Sequence, residues 1–189
     1  TRPRRFTCQA EDGEGCDALA SFDMWAEEAQ EGRNPAPHDK SDTDDIGFVS
    51  ALLDQMEANY NIDTSRVYAT GYSNGADMSY AVACYLSSRF TGIAPQSGQM
   101  WQQVLDDCSP THPTPILHIH GTNDGVRPYN GYDGYLVSIQ EGLDYWVEQN
   151  NINGTPELTE FSAGNIDVQR YDFTGGDNDV AMRHYRKLP

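Results

Sequence analysis

Apolar residues recur at helical spacing along two stretches of the chain. The first runs from Ile46 to Tyr60 and predicts an amphipathic helix with one buried face. Asp44 and Asp45 stand at its start, where carboxylates interact favourably with the helix dipole. The second stretch, residues 139–150, has a similar apolar stripe and predicts a second helix of this kind.

Short runs of strand-forming residues alternate with the predicted helices. They occupy residues 66–70, 93–94, 116–120, 158–161, 168–173 and 180–185. Strands that alternate with helices at this spacing are typical of βαβ units. The pattern therefore predicts an α/β fold with a mostly parallel sheet and flanking helices.

A serine stands at the sharpest of the predicted turns. The run Gly71-Tyr72-Ser73-Asn74-Gly75 follows the strand at residues 66–70, and a helical pattern begins directly after it. Such a turn exposes a serine hydroxyl for nucleophilic attack, and the backbone N–H of Asn74 points to where an oxyanion would form. Gly71 and Gly75 are expected to let the strand and the helix pass close together. The alternative is a glycine-rich turn with an incidental serine.

A second candidate for chemistry follows the strand at residues 116–120. Asp124 lies just past its end, and open α/β sheets carry their sites at the carboxyl ends of strands. Asp124 also follows Ser73 in the chain, which is the order of nucleophile and acid in hydrolases with this kind of turn. The alternative is an aspartate that only caps a strand-to-loop turn, because Asp-Gly is a common turn pair.

Composition limits the classes of partner. The chain has 189 residues, a formal net charge of −17 and a sequence pI near 4.3, which disfavours nucleic acid and anionic membranes as partners. The length fits one domain, which we expect to consist of an irregular segment at residues 1–43 and a core at residues 44–189. No apolar run approaches the roughly 20 residues that span a bilayer.

The four cysteines predict disulfides and a secreted protein. An even number without zinc-site spacing favours disulfides, with Cys84–Cys108 and Cys8–Cys16 as the expected pairs. The alternative is buried free thiols in a cytosolic protein. The acidic turn at residues 177–179 is too short for a calcium loop, so we expect no metal and no cofactor.

Several motifs in order resemble one known family. The chain is similar to the secreted polyhydroxybutyrate depolymerase and feruloyl esterase group of α/β-hydrolases, some of which also cleave acetyl xylan or aromatic polyesters. The resemblance covers residue 44 to about residue 185. It is carried by the runs DDIGF (44–48), YNID (60–63), RVYATGYSNG (66–75), AP (94–95) and HIHGT (118–122) with Asp124.

The resemblance implies roles for particular residues. Ser73 would be the nucleophile, Asp124 the acid that orients a histidine, and the Asn74 N–H one oxyanion donor. It also implies a disulfide between Cys84 and Cys108. Residues that would border the acyl pocket are Tyr72 and the segment 99–101, which includes Trp101.

Two expected parts of the family pattern have no match. The family's catalytic histidine lies in a Gly-Gly-His segment past a strand resembling residues 180–185, where this sequence has Arg-Lys-Leu-Pro (186–189). An N-terminal strand ending in His-Gly, which supplies the second oxyanion donor, is also without a counterpart, so the chain is expected to be truncated at both ends. His184 and His120 are the candidates to replace the base. Of His118 and His120, one is expected to point into the core and the other toward the site.

The sequence thus supports two hypotheses. The first is a secreted, metal-independent serine ester hydrolase that acts on hydroxyalkanoate, feruloyl or related aromatic and polyester substrates through an acyl-enzyme. The second is a truncated, non-catalytic α/β-hydrolase domain that binds polyester or polysaccharide through tyrosine and tryptophan side chains. In either case an exposed sheet edge is expected to favour self-association.

Overall fold

The computed structural model of the protein describes residues 44–189. The predicted irregular segment 1–43 and the predicted Cys8–Cys16 pair lie outside the described residues. Within them, four α-helices are formed: α1 (Asp45–Asn59), α2 (Asn74–Tyr85), α3 (Gln102–Asp107) and α4 (Ile139–Gln149). The strands in the same part of the chain are β1 (Tyr68–Tyr72), β2 (Gly92–Gln96), β3 (Ile116–Gly121), β4 (Glu157–Ala163), β5 (Ile166–Phe173) and β6 (Met182–Lys187).

These strands form one mixed sheet in the order β1-β2-β3-β6-β5-β4. The neighbours β1, β2, β3 and β6 run parallel, whereas β4 and β5 form a hairpin whose second strand runs antiparallel to β6. The strand that comes last in the sequence therefore lies inside the sheet. The predicted α/β fold with a mostly parallel sheet and flanking helices is confirmed.

The helix that follows β1 packs on one face of this sheet and is the most deeply buried helix of the described residues. Ten of the twelve residues of α2 are buried, including Met78, Ala81 and Val82. Trp146 of α4, with Met100 and Val104, completes the same core. The alternating side chains of β3 that point to this face are Ile116, His118 and His120.

The first predicted helix is present, but its buried face is only partly formed. The Asp44 side chain caps α1 by accepting a hydrogen bond from the Gly47 N–H at 2.7 Å. No residue of α1 is fully buried, and Met56, one of the apolar residues of the helical pattern, is exposed. The reason is that α1 packs only against the edge of the core, through Ile46, Val49 and Leu53.

Two further local predictions need correction. The strand predicted at residues 180–185 begins two residues later, because the Val180 N–H and carbonyl bond to Asp177 and Gly176 in a turn. The segment before Cys108, for which the apolar pattern predicts no helix, contains the short helix α3. Cys108 directly follows this helix and forms a disulfide with Cys84 at the end of α2.

The opposite face of the sheet is exposed in the described part of the chain. Tyr68 and Tyr72 of β1 and Leu117 and Ile119 of β3 have large exposed side chains there. Parallel strands normally have both faces covered.

Among the helices of residues 44–189, none is long and apolar enough to cross a membrane.

Candidate active site

Ser73 occupies a strained backbone position between β1 and α2. Its φ is 53° and its ψ is −116°, a combination that costs a residue with a side chain about 1–3 kcal/mol. The strain is held from both sides. The Ser73 N–H donates to the Gln96 carbonyl at 2.9 Å, and the Ser73 carbonyl accepts from Ala76 and Asp77 at 2.9 and 3.1 Å.

Two glycines make this turn sterically possible. A Cβ on Gly71 would stand 2.2 Å from the Gly75 carbonyl carbon, and a Cβ on Gly98 would stand 2.4 Å from the Ser73 carbonyl oxygen. Gly75 differs from the expectation, because a Cβ there would meet no described atom within 4 Å beyond its chain neighbours and the backbone of its own helix. The close approach of β1 and α2 therefore requires that Gly71 has no side chain. Gly98, in the segment after β2, must lack one because it lies against the Ser73 carbonyl oxygen.

Asn74 begins the helix that carries the nucleophile candidate. As the first residue of α2, it places its backbone N–H at the positive end of a helix dipole. Its side chain is buried and accepts a hydrogen bond from Arg127 Nη2. The helix start is thus fixed by a side-chain contact as well as by the backbone.

Asp124 lies in the loop after β3, and Ser73 lies just after β1, so both residues are at the carboxyl ends of the parallel strands. Both β1 and β3 neighbour β2, so the two residues follow strands that are two spacings, or about 10 Å, apart. Asp124 Oδ1 accepts hydrogen bonds from the N–H groups of Val126 at 2.9 Å and Arg127 at 2.8 Å. Asp124 therefore does cap its loop, and it does so through one oxygen only.

Three histidines form a buried cluster beside this loop. The rings of His118 and His184 stack with centroids 5.0 Å apart, and the rings of His118 and His120 lie 5.5 Å apart. Tyr129 OH is 2.8 Å from His184 Nε2, and His120 Nε2 is 2.8 Å from the Arg127 carbonyl oxygen. Because residues two apart on a strand share a face, His118 and His120 both point to the buried face of the sheet, and His120 is the one beside the Asp124 loop.

The cluster is held in its neutral form. Burial lowers the pKa of His184 to about 4, with a further contribution from His120. Burial likewise lowers the pKa of His120, and it lowers the pKa of His118 well below its usual range. A neutral imidazole at pH 7 could accept a proton, but its position decides whether it can reach the nucleophile.

The structure does not bring a histidine to the nucleophile candidate within residues 44–189. No hydrogen bond joins Ser73 Oγ to an imidazole there, and His184, 1% exposed, is stacked between His118 and Tyr171. His120 Nε2 lies 3.9 Å from Asp124 Oδ2. The role of His184 as base stays a prediction that its surroundings do not favour.

The two aromatic residues expected at the acyl pocket differ sharply in exposure. Tyr72, next to Ser73, is 68% exposed. Trp101 is 3% exposed, and its ring packs edge-to-face on Tyr135 with centroids 4.8 Å apart. Tyr72 could therefore contact a substrate directly, whereas Trp101 would act through its packing.

Sequence reasoning missed a buried ion pair directly behind the candidate nucleophile. Asp77 of α2 is 0% exposed and pairs with Arg127, which is 4% exposed and follows Asp124 by three residues. Burial raises the pKa of Asp77, and the Arg127 guanidinium and the Gln99 N–H oppose that rise. The signal in the sequence is that Asp77 is the one charged residue of α2.

A depression of about 630 Å³ lies elsewhere, at the amino-terminal ends of the parallel strands. Tyr68, Gly92 and Pro115 line it, whereas Ser73 and Asp124 follow the carboxyl ends. Because the candidate nucleophile and acid are at the opposite ends of these strands, this depression is not the candidate active site. The described residues contain no group of three or more histidine, cysteine or acidic side chains placed to hold a metal ion.

A strand, a strained turn at a serine and a buried helix, set in a mostly parallel sheet, define the protein as an α/β-hydrolase. Residues 25–134 match the model of the phospholipase/carboxylesterase family. Because this match spans more than half of the chain, the protein belongs to that family. The resemblance to esterases of the α/β-hydrolase superfamily is thereby confirmed.

Similar proteins include several fungal esterases. A probable feruloyl esterase C of Aspergillus flavus is 36% identical over 158 residues, which cover 83% of this chain and 54% of the relative. A bifunctional acetylxylan esterase/xylanase of Neocallimastix patriciarum is 37% identical over 99 residues, 52% of this chain and 14% of that protein. The chain thus spans about half the length of such relatives, or less.

A crystal structure of the Bacillus cereus carboxylesterase is also similar. It superposes with a TM-score of 0.45 at 18% identity, and the match covers 63% of this chain and 52% of that chain.

Proposed function

We propose that the protein is a carboxylic ester hydrolase that uses Ser73 as its nucleophile. The observation that carries the proposal is the strained backbone of Ser73, at φ 53° and ψ −116°, directly before the buried helix α2. Strain of this size persists where the surrounding structure enforces it, typically at functional sites. Membership of the phospholipase/carboxylesterase family supports the same reaction class.

The proposed reaction has two steps. Ser73 Oγ attacks the ester carbonyl carbon while a histidine accepts the hydroxyl proton, and that proton then leaves with the alcohol. Water hydrolyses the resulting acyl-enzyme and restores the serine. Asp124 would orient the histidine, and the Asn74 N–H at the start of α2 would donate to the oxyanion.

The substrate class and location belong to the same proposal. Relatives named feruloyl esterase and acetylxylan esterase support esters of plant cell-wall polysaccharides as substrates, with hydroxyalkanoate and aromatic polyesters as further candidates. The exposed ring of Tyr72 beside Ser73 would suit an aromatic acyl group. The Cys84–Cys108 disulfide supports secretion, because such bonds persist in oxidising compartments.

Ser73→Ala is the direct test. Hydrolysis of a short-chain nitrophenyl ester and of methyl ferulate should fall about a thousandfold or more, because the attacking oxygen is lost. Ser97→Ala is the matched control, since Ser97 also has a positive φ and also follows a parallel strand. Equal activity of Ser73→Ala and the parent protein would refute the assignment.

A non-catalytic binding domain is the second candidate. It is favoured by the burial of His184 away from Ser73 and by the exposed rings of Tyr72 and Tyr132. In that case a folded parent protein would show no serine-dependent turnover, while the parent and Ser73→Ala would sediment equally with insoluble xylan or polyester. Turnover that depends on Ser73 would exclude this candidate.

We also propose that the protein self-associates through the exposed part of its sheet. In the described residues β1 pairs on one side only, and Leu117 and Ile119 are exposed on the uncovered face. Light scattering should detect dimers or larger species, and Ile119→Lys should reduce them. A monomeric parent protein at high concentration would contradict the proposal.

A further inference from the structure

One buried side chain connects the loop of Asp124 with the helix that follows Ser73. The Arg127 guanidinium donates to Asp77 Oδ2 from Nε at 3.2 Å and from Nη2 at 3.0 Å, and Nη2 also donates to Asn74 Oδ1. Asp77 Oδ1 in turn accepts from the Gln99 N–H at 2.8 Å. The guanidinium is thus bonded to α2 and, through Asp77, to the segment after β2.

The backbone of the same arginine holds the candidate acid. The Arg127 N–H donates to Asp124 Oδ1 at 2.8 Å, and the Arg127 carbonyl oxygen is bonded to His120 Nε2 at 2.8 Å. Asp124 and Asn74 follow strands that are separated by β2, so no local turn can set their relative positions. Arg127 contacts both of them directly.

Stability alone does not explain a buried ion pair at this place. The cost of removing two charges from water often equals or exceeds their attraction, and apolar residues of similar size can replace such pairs without loss. What apolar residues cannot supply is direction, because a guanidinium fixes two acceptors at defined angles. Arg127 fixes Asp77 and Asn74 in this way.

We propose that Arg127, with Asp77, is a positioning residue that sets the Asp124 carboxylate relative to the start of α2. The catalytic meaning of this inference rests on the proposed function. Its geometric content does not, because the order of the Asp124 loop can be measured without any substrate. The positioning role of Arg127 and the proposed ester hydrolysis can therefore be refuted independently of each other.

Amide hydrogen exchange in the full chain tests the geometric part. In Arg127→Met, exchange at Val126 and at residue 127 should become about tenfold faster or more, while the amides of β3 keep their protection. Arg89→Met is the matched control, because Arg89 also bridges two elements through an ion pair, to Asp54 and Glu57, away from the site. It should leave exchange at Val126 unchanged.

A double variant separates positioning from stability. Asp77→Asn combined with Arg127→Met removes both charges and keeps an acceptor for the Gln99 N–H. Its melting temperature should recover toward that of the parent protein relative to Arg127→Met, while exchange at Val126 stays fast. Where the parent protein hydrolyses a nitrophenyl ester, kcat should fall at least about tenfold in both variants with KM little changed.

Two results would overturn the proposal. Uniformly faster exchange in the Asp124 loop and in β3 of Arg127→Met would mean that Arg127 only stabilises the fold. Unchanged exchange at Val126 and residue 127 would mean that the loop is ordered without it. Neither exchange result depends on whether Ser73→Ala loses turnover. An inactive parent protein would therefore refute the proposed ester hydrolase, and amide exchange in Arg127→Met would still decide the positioning role.

Discussion

At the scale of single residues, Ser73 shows how much local strain the fold supports. Its φ of 53° and ψ of −116° are natural only for glycine, yet the residue is fixed by three backbone hydrogen bonds. Gly98 lies against its carbonyl oxygen. The surrounding structure therefore holds a serine in a backbone conformation that glycine would adopt with less strain.

Ser73→Gly should be more stable than Ser73→Ala. Glycine adopts this backbone conformation without strain, so the free energy of unfolding should rise by about 1 kcal/mol relative to the alanine variant, which keeps a Cβ. Urea denaturation of both variants measures the difference. A glycine variant less stable than the alanine variant would contradict the strain argument.

At the scale of elements, the contact of β1 with α2 depends on one glycine. A Cβ on Gly71 would lie within 2.6 Å of three backbone atoms of Gly75, which cannot move without displacing the helix. A Cβ on Gly75 has space in the described structure. The two glycines of the turn therefore have different importance for the fold.

Gly71→Ala and Gly75→Ala form a matched pair for testing this difference. Gly71→Ala should lower the free energy of unfolding by about 3 kcal/mol or prevent folding, because overpacking against backbone cannot relax. Gly75→Ala lies in a helix and should be neutral or stabilising by up to about 1 kcal/mol. Thermal unfolding of the two purified variants would show it, and equal losses would contradict the assignment.

The sequence predicted best what local pattern encodes. The strand, turn and helix around Ser73 were found from adjacent residues, and α1 and α4 from their periodicity. The Arg127–Asp77 pair was missed because its partners are 50 residues apart and meet only after β2 has been placed between them. The burial of His118 beside His184 depends in the same way on the pairing of β3 with β6.

At the scale of the whole molecule, the centre of the sheet contains polar side chains that remain neutral. His118, His120 and His184 are each almost fully buried, and the Nδ1 atom of each lacks a hydrogen-bond partner within the described residues. Tyr129 and Arg186 pack against the cluster, with the Arg186 guanidinium 5.1 Å from the Tyr129 ring centroid. Protonation would place positive charge beside a cation.

Stability should therefore fall in mild acid. His184 has a pKa near 6.5 in the unfolded chain and of about 4 in the folded protein. The unfolded state therefore binds the proton more tightly, so the free energy of unfolding is highest above pH 6.5 and falls as the pH is lowered toward 4. His184 alone accounts for about 3 kcal/mol of this loss.

Urea denaturation between pH 7.5 and pH 4 measures the loss. The decline should be shallower in His184→Gln, which cannot be protonated and can still bond to Tyr129. An identical pH dependence in both proteins would show that the cluster does not cause it.

The position of β6 also has a consequence for biosynthesis. Residues 182–187 leave the ribosome after every other described strand, yet they lie between β3 and the β4–β5 hairpin. Until then β3 has no neighbour on that side, and the hairpin cannot join the sheet. A nascent chain therefore exposes one side of the partly apolar strand β3 from the synthesis of residue 121 until residues 182–187 are complete, and we expect chaperones to bind it in that interval.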